Sequence, residues 1–126
     1  MKVCELIVGD LVLHDGKVIR VDAVHKRKIG YHKTKDKLTW LFSGQFEPIQ
    51  LTPEILEKNG FQKDFELQGC YWRPDCRKYC IVKEIETWYF AFRHMGGGHI
   101  CIFECNYEHE LQHALKLCGI DKKIVV

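Results

Sequence analysis

Within Thr87–Arg93 the side chains of Trp88, Phe90 and Phe92 stand at alternate positions. Successive side chains of a strand point to opposite faces, so the three rings share one face of one strand. Each ring has on the order of 150–250 Å² to bury. A chain carrying this row must therefore lay a helix or a second sheet over it. A cover is written near the carboxyl end, where Leu111, Ala114, Leu115 and Cys118 repeat at the i, i+3, i+4, i+7 spacing of one helical face. Asn106 is placed to cap that helix, and Gly119 to end it in a left-handed conformation with Ile120 folding back.

The rest of the chain supplies partners for this pair. Gly9–His14 and Lys17–Val24 are β-rich runs around Asp15-Gly16, a dipeptide that tolerates the positive φ values of a tight hairpin. A second pair, Arg27–Tyr31 and Lys37–Phe42, is joined by the polar Lys33-Thr34-Lys35-Asp36. Four short strands so spaced predict a curled sheet or an SH3-like barrel. Thr52-Pro53-Glu54 reads as a cap, a first helical position and an acid at the positive helix end, with Gly60 as the stop. A loop over Gly69–Pro74 and strands over Tyr79–Lys83, Thr87–Arg93 and His99–Glu104 complete the pattern, the last two strands joined through His94–Gly98. The fold class is α+β: N-terminal hairpins, a short helix, an antiparallel aromatic-rich sheet and a C-terminal helix across it. With no repeat or low-complexity linker, one domain with subregions of about 1–50 and 51–126 is expected.

A chain of 126 residues buries roughly two-thirds of its unfolded surface and can hold a core without covalent staples. Its 46% hydrophobic and 29% charged residues exclude a disordered tail or a collagen-like repeat. Seven cysteines are an odd number with no familiar disulfide spacing, which favours free thiols in a reducing cytoplasm. Met1–Asp10 carries Glu5 and Asp10 instead of a basic segment before a long apolar stretch, and no window approaches 18 apolar residues, so neither export nor membrane insertion is expected. The net charge is only +2, but Lys17–Lys37 holds eight of the nineteen basic residues against Asp22 and Asp36, a local +6 that leaves −4 elsewhere.

Two segments resemble a family: Pro48–Phe61, with its Pro-Ile-x-Leu-Thr-x-Glu run, and Tyr107–Ile120, with its Tyr-x-His-x-Leu-Gln helix. Val8-Gly9-Asp10 before the first hairpin fits the same pattern. The family comprises small, functionally uncharacterised proteins of gut bacteria and their phages. The resemblance implies the α+β layout and a mobile-element or phage-associated role, with no activity or catalytic residue to carry over. The family usually has Asn where this chain has His113.

Several residue groups invite chemistry. His109-Glu110-Leu111-Gln112-His113 is a literal His-Glu-x-x-His, in which two histidines one turn apart bind zinc and the glutamate activates water. Only thirteen residues follow His113, so a third ligand must come from upstream. At about 100° per residue, His109 and His113 fall roughly 160° and 200° from Leu111, which predicts a solvated pair. Cys70, Cys76, Cys80, His99, Cys101 and Cys105 could supply a structural zinc site. They lack paired C-x2-C knuckles, and on a strand Cys101 and Cys105 would lie about 13 Å apart at about 3.3 Å per residue. Gly96-Gly97-Gly98 precedes a strand instead of the helix a phosphate cradle requires, and His94 with His99 flanks it as a conceivable acid/base pair. No cofactor is implied.

Two groups point to binding. Lys26, Arg27, Lys28, Lys33 and Lys35, with Tyr31 and Trp40, combine cations with stacking faces suited to nucleic acid. Tyr71, Trp72 and Arg73 are the residue types of interaction hot spots, expected on an exposed loop, although Trp72 could equally pack inward. The expected function is a non-enzymatic binding or interaction module for an unknown protein, nucleotide or nucleic-acid partner. A nucleic-acid or nucleotide binder through Lys17–Lys37 is the first alternative, and a zinc hydrolase through 109–113 the second.

Overall fold

The computed structural model describes residues 5–65, 67–93, 99–120 and 123–126, without the side chain of Cys76. The glycine-rich 94–98 segment, with His94, lies outside the described residues. The chain divides into two compact units, Met1–Ile49 and Gln50–Val126.

In the first unit β1 (Leu11–His14) and β2 (Lys17–Arg20) form the predicted hairpin, with Leu11 opposite Arg20 and His14 opposite Lys17. Asp15 (φ 50°) and Gly16 (φ 74°) both take the left-handed region, matching the twist of the strands they join. The second pair gains a strand. β3 (Ala23–His25), β4 (Lys28–Thr34) and β5 (Lys37–Phe42) form an antiparallel sheet in the order β3-β4-β5. Gly30 sits in mid-strand because a Cβ there would stand 3.1 Å from Leu38 Cδ1 and 3.2 Å from Ala23 Cβ. Val12, Val21, Ile29, Leu41, Phe46 and Leu6 make the core of this unit. The SH3-like barrel does not form: both sheets are open, and the β1 strand meets Glu47 only through an isolated bridge at Leu13. Strands of three and four residues are too short to carry the staggered ladder that closure demands.

In the second unit α1 (Pro53–Lys58) starts as predicted, Thr52 Oγ1 accepting from the Ile55 N–H at 3.2 Å. At two turns it cannot persist alone, and full burial of Leu56 fixes it. β6 (Gln62–Lys63), β7 (Cys70–Arg73), β8 (Cys76–Glu84), β9 (Thr87–Arg93) and β10 (His99–Glu104) form an antiparallel sheet in the order β10-β9-β8-β7-β6. The expected Gly69–Pro74 loop is thus largely a strand, Trp72 pairing with Cys80 and Tyr71 with Ile81.

The helix α2 (Glu108–Leu117) brings Leu111, Ala114 and Leu115 into one cluster with Trp88, Phe90, Tyr71, Ile81 and Leu56. Phe90 stacks on Tyr79 at 5.2 Å and on Phe103 at 5.3 Å. Phe92 shares the face but is 40% exposed. The helix starts one residue later than expected, with Tyr107 as cap, because Asn106 Oδ1 is taken by the Trp88 N–H at 2.8 Å. At the other end the Gly119 N–H donates to Lys116 O and the Ile120 N–H to Leu115 O, the paired closure predicted from Gly119. Among the described residues no helix is long and apolar enough to cross a membrane.

Leu115→Ala should cost about 2–5 kcal/mol, the transfer energy plus a cavity beneath the helix. Urea unfolding checks this, and a loss under about 1 kcal/mol would contradict the packing described.

Candidate functional site

The basic segment folds into β2, β3, β4 and their turns, and its residues go to different places. Tyr31 and Lys33 lie on β4 and join Lys17, Ile19 and Arg20 of β2 in lining a groove of about 440 Å³. His14, Asp15, Val18, Asp22 and His32 complete it. Lys17, Arg20 and Lys33 are exposed, whereas Tyr31 is half-buried with its ring 6.0 Å from that of His14. Alternation on β4 turns Lys28 to the other face, where its Nζ sits 4.6 Å from the centroid of the Trp40 ring. The His25 ring meets Trp40 edge-on at 6.5 Å. Lys26 and Arg27 form the β3–β4 turn and Lys35 lies in the β4–β5 turn, all exposed.

Sequence reasoning named Tyr31 and Lys33 but missed Lys17 and Arg20 as their companions. The signal was the hairpin register: Lys17 and Arg20 close and open the β1–β2 ladder. Asp22, one of the acids in the groove, is engaged by a neighbour. Asp22 Oδ2 accepts from the His32 N–H at 2.9 Å and meets His32 Nδ1 at 2.8 Å. The bond to the His32 ring holds the Asp22 carboxyl below its ordinary value, with the His32 backbone and Arg20 adding to it.

Tyr71, Trp72 and Arg73 form no exposed hot spot. They alternate on β7, so Tyr71 enters the aromatic core with its ring 5.7 Å from Trp88. Arg73, 6% exposed, holds Asp75 through Nε and Nη2 at 2.9 and 2.8 Å, over the Phe61 ring. Trp72, half-buried on the opposite face, lies within reach of the Arg77 and Arg93 guanidiniums.

The helical histidines are not solvated as the wheel predicts. His109 is 3% exposed and His113 half-buried. The His109 ring stacks on Tyr107 at 5.8 Å, with 7° between planes, and meets His113 edge-on at 5.8 Å. Neighbouring rings, which a wheel centred on the apolar stripe ignores, cover it. Glu110 Oε1 accepts from the backbone N–H groups of Asn106 and Tyr107 at 3.1 and 3.2 Å, bracing the helix start. That use leaves the carboxylate poorly placed to activate water.

Cys105 and the Cys70–Cys80 pair lie in different apolar clusters of this unit. Cys105 lies in the aromatic core, and burial raises its thiol pKa. Cys70 and Cys80 are buried together with Val82 and Ala91. Their thiol–thiol hydrogen bond raises Cys80, and burial raises it further. Among the described residues the one gathering of three metal-capable donors is Glu84, His99 and Cys101. No protein-family model, curated protein or solved structure matches the chain.

Because the folded Asp22 is depressed below 3.8, its contribution is present above that value and lost as pH falls through the folded pKa. Wild type should therefore lose thermal stability relative to Asp22→Asn below about pH 4. Parallel melting curves for the two proteins from neutral to acid pH would contradict the Asp22–His32 pairing. Glu110→Ala should cost about 0.5–2 kcal/mol as a lost helix brace, measured by urea unfolding; no loss would return the carboxylate to other roles.

Proposed function

We propose that the chain is a non-enzymatic binding module that takes a nucleotide or single-stranded nucleic acid in the groove between β2 and β4. The observation that carries this reading is the convergence of Lys17, Arg20 and Lys33 around the half-buried ring of Tyr31 in about 440 Å³. Three cations attract phosphates, and an aromatic face accepts a base of any identity. The volume falls within the range of small-molecule sites. With Asp22 held by His32, Asp15 is the remaining acid of the lining. A phage-associated setting is supported by the resemblance of Pro48–Phe61 and Tyr107–Ile120.

A fluorescent thymidine oligonucleotide and a labelled ATP analogue, titrated at several salt concentrations, test the reading. For the oligonucleotide, affinity should fall with log salt at a slope of about −0.7 per neutralised phosphate, roughly −2 for three contacts. Lys33→Ala should flatten that slope by about one contact, and Tyr31→Ala should cost about 1–3 kcal/mol of stacking. Failure of both ligands to bind at low salt, or binding indifferent to salt, would overturn it.

A further inference from the structure

Glu84 ends β8, while His99 opens β10 and Cys101 follows two residues later. In the ladder Cys101 stands opposite Ala91, His99 opposite Arg93 and Glu84 opposite Thr87. The two-residue period puts all three side chains on one face, which also carries Cys70, Cys80 and Val82. Their donor atoms lie within 4.8 Å of one another, and His99 Nε2 meets Glu84 Oε1 at 3.1 Å. Glu84 and His99 occupy distant rungs, so side chains that meet across β9 require this face to be concave.

We propose that Glu84, His99 and Cys101 form a binding site for a zinc-class divalent transition ion, independent of the groove between β2 and β4. Zinc accepts a thiolate at about 2.3 Å, an imidazole at about 2.0–2.1 Å and a carboxylate at about 2.0–2.2 Å, so ligands on one tetrahedral ion stand roughly 3.3–3.8 Å apart. The trio needs to close by only about 1 Å, and the Glu84 side chain, 52% exposed, is free to swing. The mixed set of sulfur, nitrogen and oxygen donors selects against magnesium and calcium, which take oxygen alone. Three protein ligands leave the fourth position to water or to an incoming ligand. The His99 ring faces Glu84 through Nε2, which makes Nε2 the ligating nitrogen, while its Nδ1 is shielded from solvent with no hydrogen-bond partner among the described residues. Coordination through Nε2 would keep the ring proton on Nδ1 and fix that tautomer. The ion would tie β8 to β10 across β9.

The full chain, purified without a metal-affinity tag and kept reduced by a phosphine, is titrated with Co²⁺. One equivalent should bind with a thiolate-to-cobalt charge-transfer band and be displaced by Zn²⁺. Cys101→Ser should abolish the band, and His99→Ala or Glu84→Gln should weaken binding by about tenfold or more. In the wild type, paramagnetic broadening of amide resonances should centre on His99–Cys101 and Glu84, a readout that needs no variant to fold. Absence of the band, its survival in folded Cys101→Ser, or broadening centred on α2 would each overturn the proposal.

Discussion

Covering the apolar face of β9 is the constraint on which the Gln50–Val126 unit depends. Trp88 and Phe90 cannot be hydrated without losing several hundred Å² of burial, worth roughly 25 cal/mol per Å². The β8 strand supplies Tyr79 and Ile81 beside them, β7 supplies Tyr71, and α2 brings Leu111, Ala114 and Leu115 over the row. Even the helix start obeys this demand. Asn106 gives its side chain to the Trp88 backbone, and Glu110 then closes the turn in its place.

That arrangement changes the meaning of the His-Glu-x-x-His motif. Its glutamate is a brace, and its first histidine is packed between Tyr107 and His113. The two units consequently differ in chemistry. Gln50–Val126 spends its aromatic and helical residues on packing, with a trio of soft and hard donors left on the opposite face of its sheet. Met1–Ile49 has short strands, a small core and most of its described cations on exposed positions.

What could be read from the residues was whatever a local signal states outright. Asp15-Gly16, Thr52-Pro53, Gly119 and the 88/90/92 alternation each fix a backbone conformation or a face within a few residues, and each is realised. The β3 strand was not separated from β2, because Ala23 and Val24 continue the β-rich run from Lys17 and only the pairing with β4 splits it. The β7 strand was hidden because Gly69 and Pro74 bracket it as they would a loop, whereas pairing with β8 decides the matter. The groove was half legible: Tyr31 and Lys33 stood in a basic segment, but their meeting with Lys17 and Arg20 depends on register between separate sheets. Glu84 was missed altogether, since its rung lies far from that of His99 and only the concavity of the sheet joins them.

We propose that ligand binding belongs to the β2–β4 groove while the α2 histidines are structural. Amide chemical-shift mapping of the ¹⁵N-labelled full chain with a thymidine oligonucleotide at low salt tests it most directly. Shifts concentrated at Lys17–Arg20 and Tyr31–Lys33, with Glu108–His113 unmoved, are the expected result. Shifts concentrated on Glu108–His113 with the groove silent would contradict it.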